Sequence, residues 1–147
     1  MIQGPLVDPK TRKLNVSLSL VDAFVRGKKN DEDLQLRQVG NAVDVRDVAR
    51  SHVLALEKEE AGSRRMGIGS GPFTWQQVVD AIHQKFPDEA KKNGVPVGTP
   101  GSYKQQKDWS VLDTRGAEQV LGYRHIDLAT SSQDAAESLW QRQKAGL

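Results

Sequence analysis

The sequence predicts an α/β fold in which helix predominates, with two or three short strands. Two observations carry this expectation. Apolar residues recur at three- and four-residue spacings through several long stretches. Alternating, strand-like runs are short and lie near glycines, as at Leu34 to Gly40 and Arg65 to Ser70. The 147 residues suit a single domain over 1–147, long enough to bury a core of its own.

Met1 and Ile2 lead from something strand-like into a Gly4-Pro5 turn. Leu14, Leu18, Val21 and Val25 share one helical face, so residues 13–26 read as an amphipathic helix stopped by Gly27. Leu34 and Leu36 alternate with Gln35 and Arg37, which predicts a half-exposed strand ending near Gly40. A second helix is expected over 43–59. Asp44 caps it, Asp47 puts negative charge in its first turn, and Val45, Val48, Ala49, His52, Val53 and Leu56 form its inward stripe. Arg65 to Ser70 reads as a strand in which Gly67 and Gly69 mark close backbone approach.

Phe73-Thr74-Trp75-Gln76-Gln77-Val78 is a helix start. Thr74 is the N-cap, Gln77 completes a capping box, and Phe73 and Val78 form a hydrophobic staple. Val78, Ile82 and Phe86 continue the core face, and Pro87 ends the helix. Residues 88–110 read as a long loop with turns at Asn93-Gly94 and Pro100-Gly101. Asp113 is expected to cap a short helix to Leu121, with Gly122 in the left-handed position after it. Asp127 caps a last helix that carries Leu128, Ala135, Leu139 and Trp140.

Composition removes several function classes. With no cysteine there is no disulfide, thiolate metal site or cysteine nucleophile. The net charge is +2, and the basic Arg26, Lys28 and Lys29 are followed at once by Asp31, Glu32 and Asp33. Such a mixed run is solvated surface, so no nucleic-acid partner is expected. No window approaches the roughly 20 apolar residues of a membrane span, and no signal peptide is visible. A soluble, cytoplasmic protein off the membrane is expected, and Asn15-Val16-Ser17 is an incidental glycosylation match.

Chemistry is scarce. His52, His83 and His125 lie far apart in no metal-binding spacing, and His52 reads as a packed helix residue. No GxSxG elbow occurs. Gly67, Gly69 and Gly71 imitate a phosphate cradle, but Pro72 breaks the GxGxxG pattern, so a tight crossing is the expected role. Asp44 and Asp47 are helix-start residues. The residues alone point to no reaction.

Several segments in fixed order resemble one family. Asp44-Val45-Arg46-Asp47-Val48-Ala49, with His52, Leu54 and Ala55, resembles the "DVRDVAxAHxxA" helix of extended short-chain dehydrogenases/reductases. These belong to the NAD-dependent epimerase/dehydratase superfamily. Phe73-Thr74-Trp75-Gln76 with Val79 and Asp80 resembles the next helix of the family. Pro96-Val97-Gly98 and Pro100-Gly101 are similar to a loop of its fungal, dihydroflavonol-reductase-like ketone and aldehyde reductases. Asp113-Thr114 with Leu121-Gly122-Tyr123 resembles "DxxKxxxxLGF", and Gly4-Pro5 resembles the "VxGP" segment after the sixth sheet strand.

The resemblance implies a partial Rossmann-type fold: the substrate-side, C-terminal portion without the dinucleotide-binding half. It implies NADP as the cofactor of the family, held too weakly by this chain alone to matter. Ile2 and Ser17 correspond to cofactor neighbours, and Met1 and Leu6 to substrate-pocket positions. The glycine-rich loop, the catalytic serine or threonine and the Tyr-x-x-x-Lys pair of the family have no counterpart here. Tyr103 and Lys107 have that spacing but fall in a Gly/Pro-flanked loop, downstream of the substrate-side motifs. No catalytic residue and no metal are therefore expected. The implied protein is a truncated NADPH-dependent ketone/aldehyde reductase homologue, silent alone. The alternatives are a half made active by a complementing N-terminal chain, and a repurposed ligand-binding or self-associating module. A homo-oligomer or complementing chain is the expected partner, with a small carbonyl compound as ligand, because lone helices would otherwise expose apolar faces.

Overall fold

A computed structural model describes residues 1–8, 10, 11, 13–35 and 40–147, with Gln35 by its backbone alone. The elements in chain order are β1 (Ile2–Gln3), α1 (Val16–Val25), β2 (Gly40–Asp44), α2 (Val45–Glu57), β3 (Gly71–Phe73), α3 (Trp75–Lys85), α4 (Pro87–Lys92), α5 (Arg115–Leu121) and α6 (Leu128–Lys144). The sheet order is β1-β2-β3. β1 runs parallel to β2, with Ile2 beside Val43 and Gln3 beside Asp44. β3 is antiparallel to β2, with Gly40 opposite Phe73.

Local chemistry sets the helix starts. The Asn15 carboxamide accepts from Leu18 N at 2.8 Å and begins α1, using one of the donors that a helix start leaves orphaned. Gly27 ends it at φ +63°, where a Cβ would stand 2.7 Å from the Asn93 carbonyl, so only glycine fits. Both halves of the Thr74–Gln77 capping box form: Gln77 Oε1 accepts from Thr74 N at 2.8 Å, and Thr74 Oγ1 from Gln77 N at 3.3 Å. Asp127 caps α6 by accepting from Thr130 N at 2.9 Å. Gly122 takes the left-handed position after α5 at φ +74°.

α1, α3 and α6 enclose the main core with one face of the sheet. Val21, Val25, Val78, Ile82 and Leu139 are fully or almost fully buried there. Each such side chain contributes about 1.5–3 kcal/mol by leaving water. Phe24 and Trp75 stack at 4.7 Å between centroids, and Trp140 donates its indole N–H to the Val25 carbonyl at 3.0 Å. A separate small cluster of Ala117, Leu121 and Tyr123 joins α5 to α2, with Leu54 packed on it.

The structure differs from expectation at several places. Residues 33–35 form a 3-10 turn, not a strand, because Asn30 and Asp33 bond each other's backbone, an alternative to a ladder. Leu36 and Arg37 of that expected strand lie outside the described residues; β2 starts at Gly40. The segment 65–70 has no strand, which forms only at β3. The glycines do mark close approach: a Cβ on Gly69 would lie 3.0 Å from the Ala42 carbonyl, and one on Gly67 3.0 Å from that of Asp113. Pro87 both follows α3 and opens α4, since its missing N–H costs nothing at a first helical position. The expected loop 88–110 thus contains α4 and a 3-10 turn at Ser102–Gln105. Thr114, not Asp113, is the residue before α5, and Asp113 instead accepts from Arg115 N at 3.1 Å.

The main reversal is α2. Its buried residues are Asp47 and Ser51. Of the expected inward stripe, Ala49, His52, Val53 and Leu56 are exposed, with Leu56 at 90%. Asp47 Oδ2 accepts from Ile126 N at 2.7 Å, and Tyr123 donates to the Asp47 carbonyl at 3.0 Å and bonds Ser51 Oγ. Arg50 lies 4.4 Å over the Tyr123 ring. These polar anchors roll the helix so that its apolar side faces out. His52 is solvent-exposed, with Nδ1 2.7 Å from the Val48 carbonyl.

Candidate functional site

A cleft of about 340 Å3 opens between β1, the segment leading to α1, and the start of α2. Its apolar lining includes Ile2, Leu6, Leu14, Leu18 and Val45, with Lys13 and Asn15 as polar members. The parallel pairing of β1 with β2 brings Ile2 beside Val43, and so near Val45. The Met1 carbonyl accepts from Val43 N at 2.9 Å and fixes that register. Ser138 Oγ of α6 accepts from Leu6 N at 3.1 Å and holds the turn in place.

Behind Gly4, one of the lining residues, lies an ion pair. Asp44 is fully buried; it accepts from Arg46 N at 2.8 Å and from the Arg46 guanidinium at 2.8 and 2.9 Å. Burial pushes the Asp44 carboxyl up, but the Arg46 hydrogen bonds outweigh it, and its pKa lies below the usual carboxylate range. Arg46 also pairs with Asp134 on α6 at 2.9 Å. Gly4 packs against this carboxylate at φ +127°, where a Cβ would sit 2.9 Å from Asp44 Oδ2. Of the motif aspartates, Asp44 thus backs the lining Gly4, Asp47 bonds Ile126 N instead, and neither lines the cleft.

Of the residues singled out from the sequence, Ile2 and Leu6 line the cleft. Met1 and Ser17 do not. Met1 is half-buried against the main core, and Ser17 is half-buried in the first turn of α1, two residues after the lining Asn15. Lys13, Leu14, Asn15, Leu18 and Val45 were not read from the sequence as site residues. Asn15 carried a signal: an Asn three residues before the amphipathic Leu18 is a cap, and a helix N-terminus faces whatever lies beyond it.

The cleft offers apolar contact with a few polar groups at its rim. Tyr103 sits in the Ser102–Gln105 turn, and neither it nor Lys107 lines the cleft. Tyr123 is buried, and burial raises its phenol pKa, the opposite of an activated acid. A dinucleotide also fits poorly. The glycines at 67 and 69 press on backbone carbonyls, which would repel a pyrophosphate rather than cradle it. The cleft volume is at the low end for a small-molecule site. Among the described residues, no group of three or more His, Asp or Glu side chains is placed to hold a metal ion. No helix among them is long and apolar enough to cross a membrane.

Comparison with known proteins agrees on one lineage. The NADPH-dependent methylglyoxal reductase of Saccharomyces cerevisiae is 32% identical over 139 residues, covering 92% of this chain and 40% of that protein. The ketoreductase azaE of Aspergillus niger is 31% identical over 96% of this chain and 43% of its own length. Among solved structures, the yeast methylglyoxal/isovaleraldehyde reductase complexed with NADPH superposes with a TM-score of 0.82 at 28% identity, over 97% of this chain and 45% of that one. Gre2 of Candida albicans, also with NADPH, gives 0.81 at 32% over 96% and 41%. The chain therefore spans about 40% of the length of the curated relatives it matches. No protein-family model matches it.

Proposed function

We propose that this chain, which belongs with the extended short-chain dehydrogenases/reductases as their substrate-side part, forms the substrate wall of an NADPH-dependent carbonyl reductase. The carrying observation is the cleft of Ile2, Leu6, Leu14, Leu18 and Val45 beside β1, which pairs parallel with β2. A small ketone or aldehyde suits it: the apolar lining takes the carbon body, and no charged group must be neutralised beyond the exposed Lys13 and Asp8. NADPH would supply the hydride. The Ile2 backbone and Ser17 at the α1 start would lie beside it, while the pyrophosphate cradle and the activated phenol come from a dinucleotide-binding half.

Hydride transfer needs a cofactor cradle and an acid of matched pKa, and the isolated chain offers neither. The chain is silent alone and works once such a half is joined to it, on the same polypeptide or as a separate chain. The test is NADPH oxidation with methylglyoxal, first by the isolated chain and then by a fusion in which it replaces its matching portion of the Saccharomyces cerevisiae reductase. The isolated chain should show no turnover and no saturable NADPH binding, and the fusion should show both. Tight NADPH binding by the isolated chain would refute the reading.

A further inference from the structure

Resting on that reading, we propose that Arg142 of α6 is a positioning residue for the substrate: by holding the Thr11 carbonyl it fixes the outer rim of the cleft and keeps the site selective for small carbonyl compounds.

Arg142 is a charged side chain in an unusual place. The residue is only 7% exposed, although arginine is almost never buried unless it is paired. It lies in the last turn of α6, where a cation complements the helix dipole. That role needs no burial, since Lys144 in the same turn serves it from solvent. Taking a guanidinium out of water is costly unless fixed acceptors meet it. Arg142 Nε donates to the Thr11 carbonyl at 3.1 Å, across 131 residues of sequence. Thr11 lines the cleft. The planar donor group of arginine stays charged at any working pH, so the hold is permanent.

The rim is otherwise lightly held. Val7 is 88% exposed, and Asp8, Lys10 and Lys13 are exposed as well. Its internal bonds are local: the Asp8 carboxylate accepts from Lys10 N at 2.9 Å, and the Asp8 carbonyl from Thr11 N at 3.1 Å. These shape a turn without attaching it to the body of the protein. Attachment comes from apolar contact of Leu6 and Leu14 with the main core, and from α6. Ser138 Oγ accepts from Leu6 N, and Arg142 reaches Thr11. Four residues separate Ser138 and Arg142, so one face of α6 meets the chain on both sides of the Asp8 turn. The two contacts together set how far the rim stands from the rest of the lining. At about 340 Å3 the cleft is near the lower limit for a small-molecule site. A rim held there admits a small carbonyl compound and excludes a bulky one, and a released rim loses that preference.

Two variants test this. Arg142→Met keeps an apolar stem and removes the donor, and Arg142→Lys keeps the charge without the planar fork. In the fusion, NADPH oxidation with methylglyoxal is compared with that by acetophenone, an aromatic ketone. Arg142→Met should raise KM for methylglyoxal and leave kcat, as loss of uniform binding does. The ratio of kcat/KM values should move toward acetophenone by roughly tenfold, with Arg142→Lys in between. A merely structural arginine would weaken both substrates alike; an unmoved ratio overturns the proposal. Trypsin reads the rim in the isolated chain without any catalysis, at the Lys10-Thr11 and Lys13-Leu14 bonds. Arg142→Met should quicken cleavage there by roughly tenfold and nowhere else. An unchanged rate at those bonds overturns the proposal, and so does cleavage that quickens along the whole chain. If Arg142→Met does not fold, Arg142→Lys carries the same two comparisons with smaller shifts. A fusion that never oxidises NADPH, beside a rim that Arg142→Met releases, refutes the functional reading and leaves the hold of Arg142 on Thr11 standing.

Discussion

Helices α3 and α2 carry similar apolar stripes and use them oppositely. In α3, Val78, Val79 and Ile82 are wholly buried among α1, α6 and the sheet. In α2, Val53 and Leu56 stand in solvent, and the buried positions are Asp47 and Ser51. The first helix is held by apolar area that has left water. The second is held by a few hydrogen bonds to Tyr123 and Ile126 and by Leu54 against the small α5 cluster. Amphipathicity therefore tells which side of a helix seeks cover, not which side finds it within a given chain.

The contrast can be broken by mutation. Ile82→Ala should cost about 3 kcal/mol, read by urea unfolding, because it leaves a cavity in the main core. Asp47→Leu should cost about 2 kcal/mol by leaving the Ile126 N–H unpaired in the α2 contact. A loss under half that size would mean that area, not polar anchoring, also holds α2. Thr74→Ala should cost about 1 kcal/mol through loss of the α3 cap. Leu56→Ser in the isolated chain should cost no more than about 0.5 kcal/mol; a cost near that of Ile82→Ala would erase the distinction.

The Asp44 anchor of α2 adds a pH dependence. Its folded pKa is depressed. Its stabilisation is thus complete above the unfolded carboxylate value of about 3.9 and is lost as pH falls through the lower folded value. Acid titration of Asp44→Asn should therefore show a shallower loss of stability below about pH 4 than the parent chain. Equal slopes would mean that Arg46 does not hold the carboxyl in the folded state.

What the sequence made legible was local. The Thr74–Gln77 box, the Asp44 and Asp127 caps and the Gly122 stop depend on residues within four positions of each other, and all form. Pro87 was read as a terminator because its effect on the preceding helix is obvious, while its fitness for opening the next one is not. The orientation of α2 depends on Tyr123 and Ile126, more than seventy residues away, which no periodicity encodes. The cleft was half legible: Ile2 and Leu6 follow from resemblance, whereas Val45 joins it only through the β1–β2 register and Lys13 and Leu14 only through the path of the segment into α1. The extended-reductase lineage was legible in ordered motifs, and the relatives bear it out.

Asn41 gives a last lesson. Its side-chain amide donates to the Ser110 carbonyl at 2.8 Å and accepts from Leu112 N at 3.0 Å. One residue of β2 thereby clasps the stretch after the Ser102–Gln105 turn by main-chain groups alone. The clasp is blind to what Val111 carries, and that side chain is exposed, whereas Leu112 also lies over Gly67. Position 111 is free to drift or to be redesigned while the ribbon keeps its path, provided that Asn41 stays.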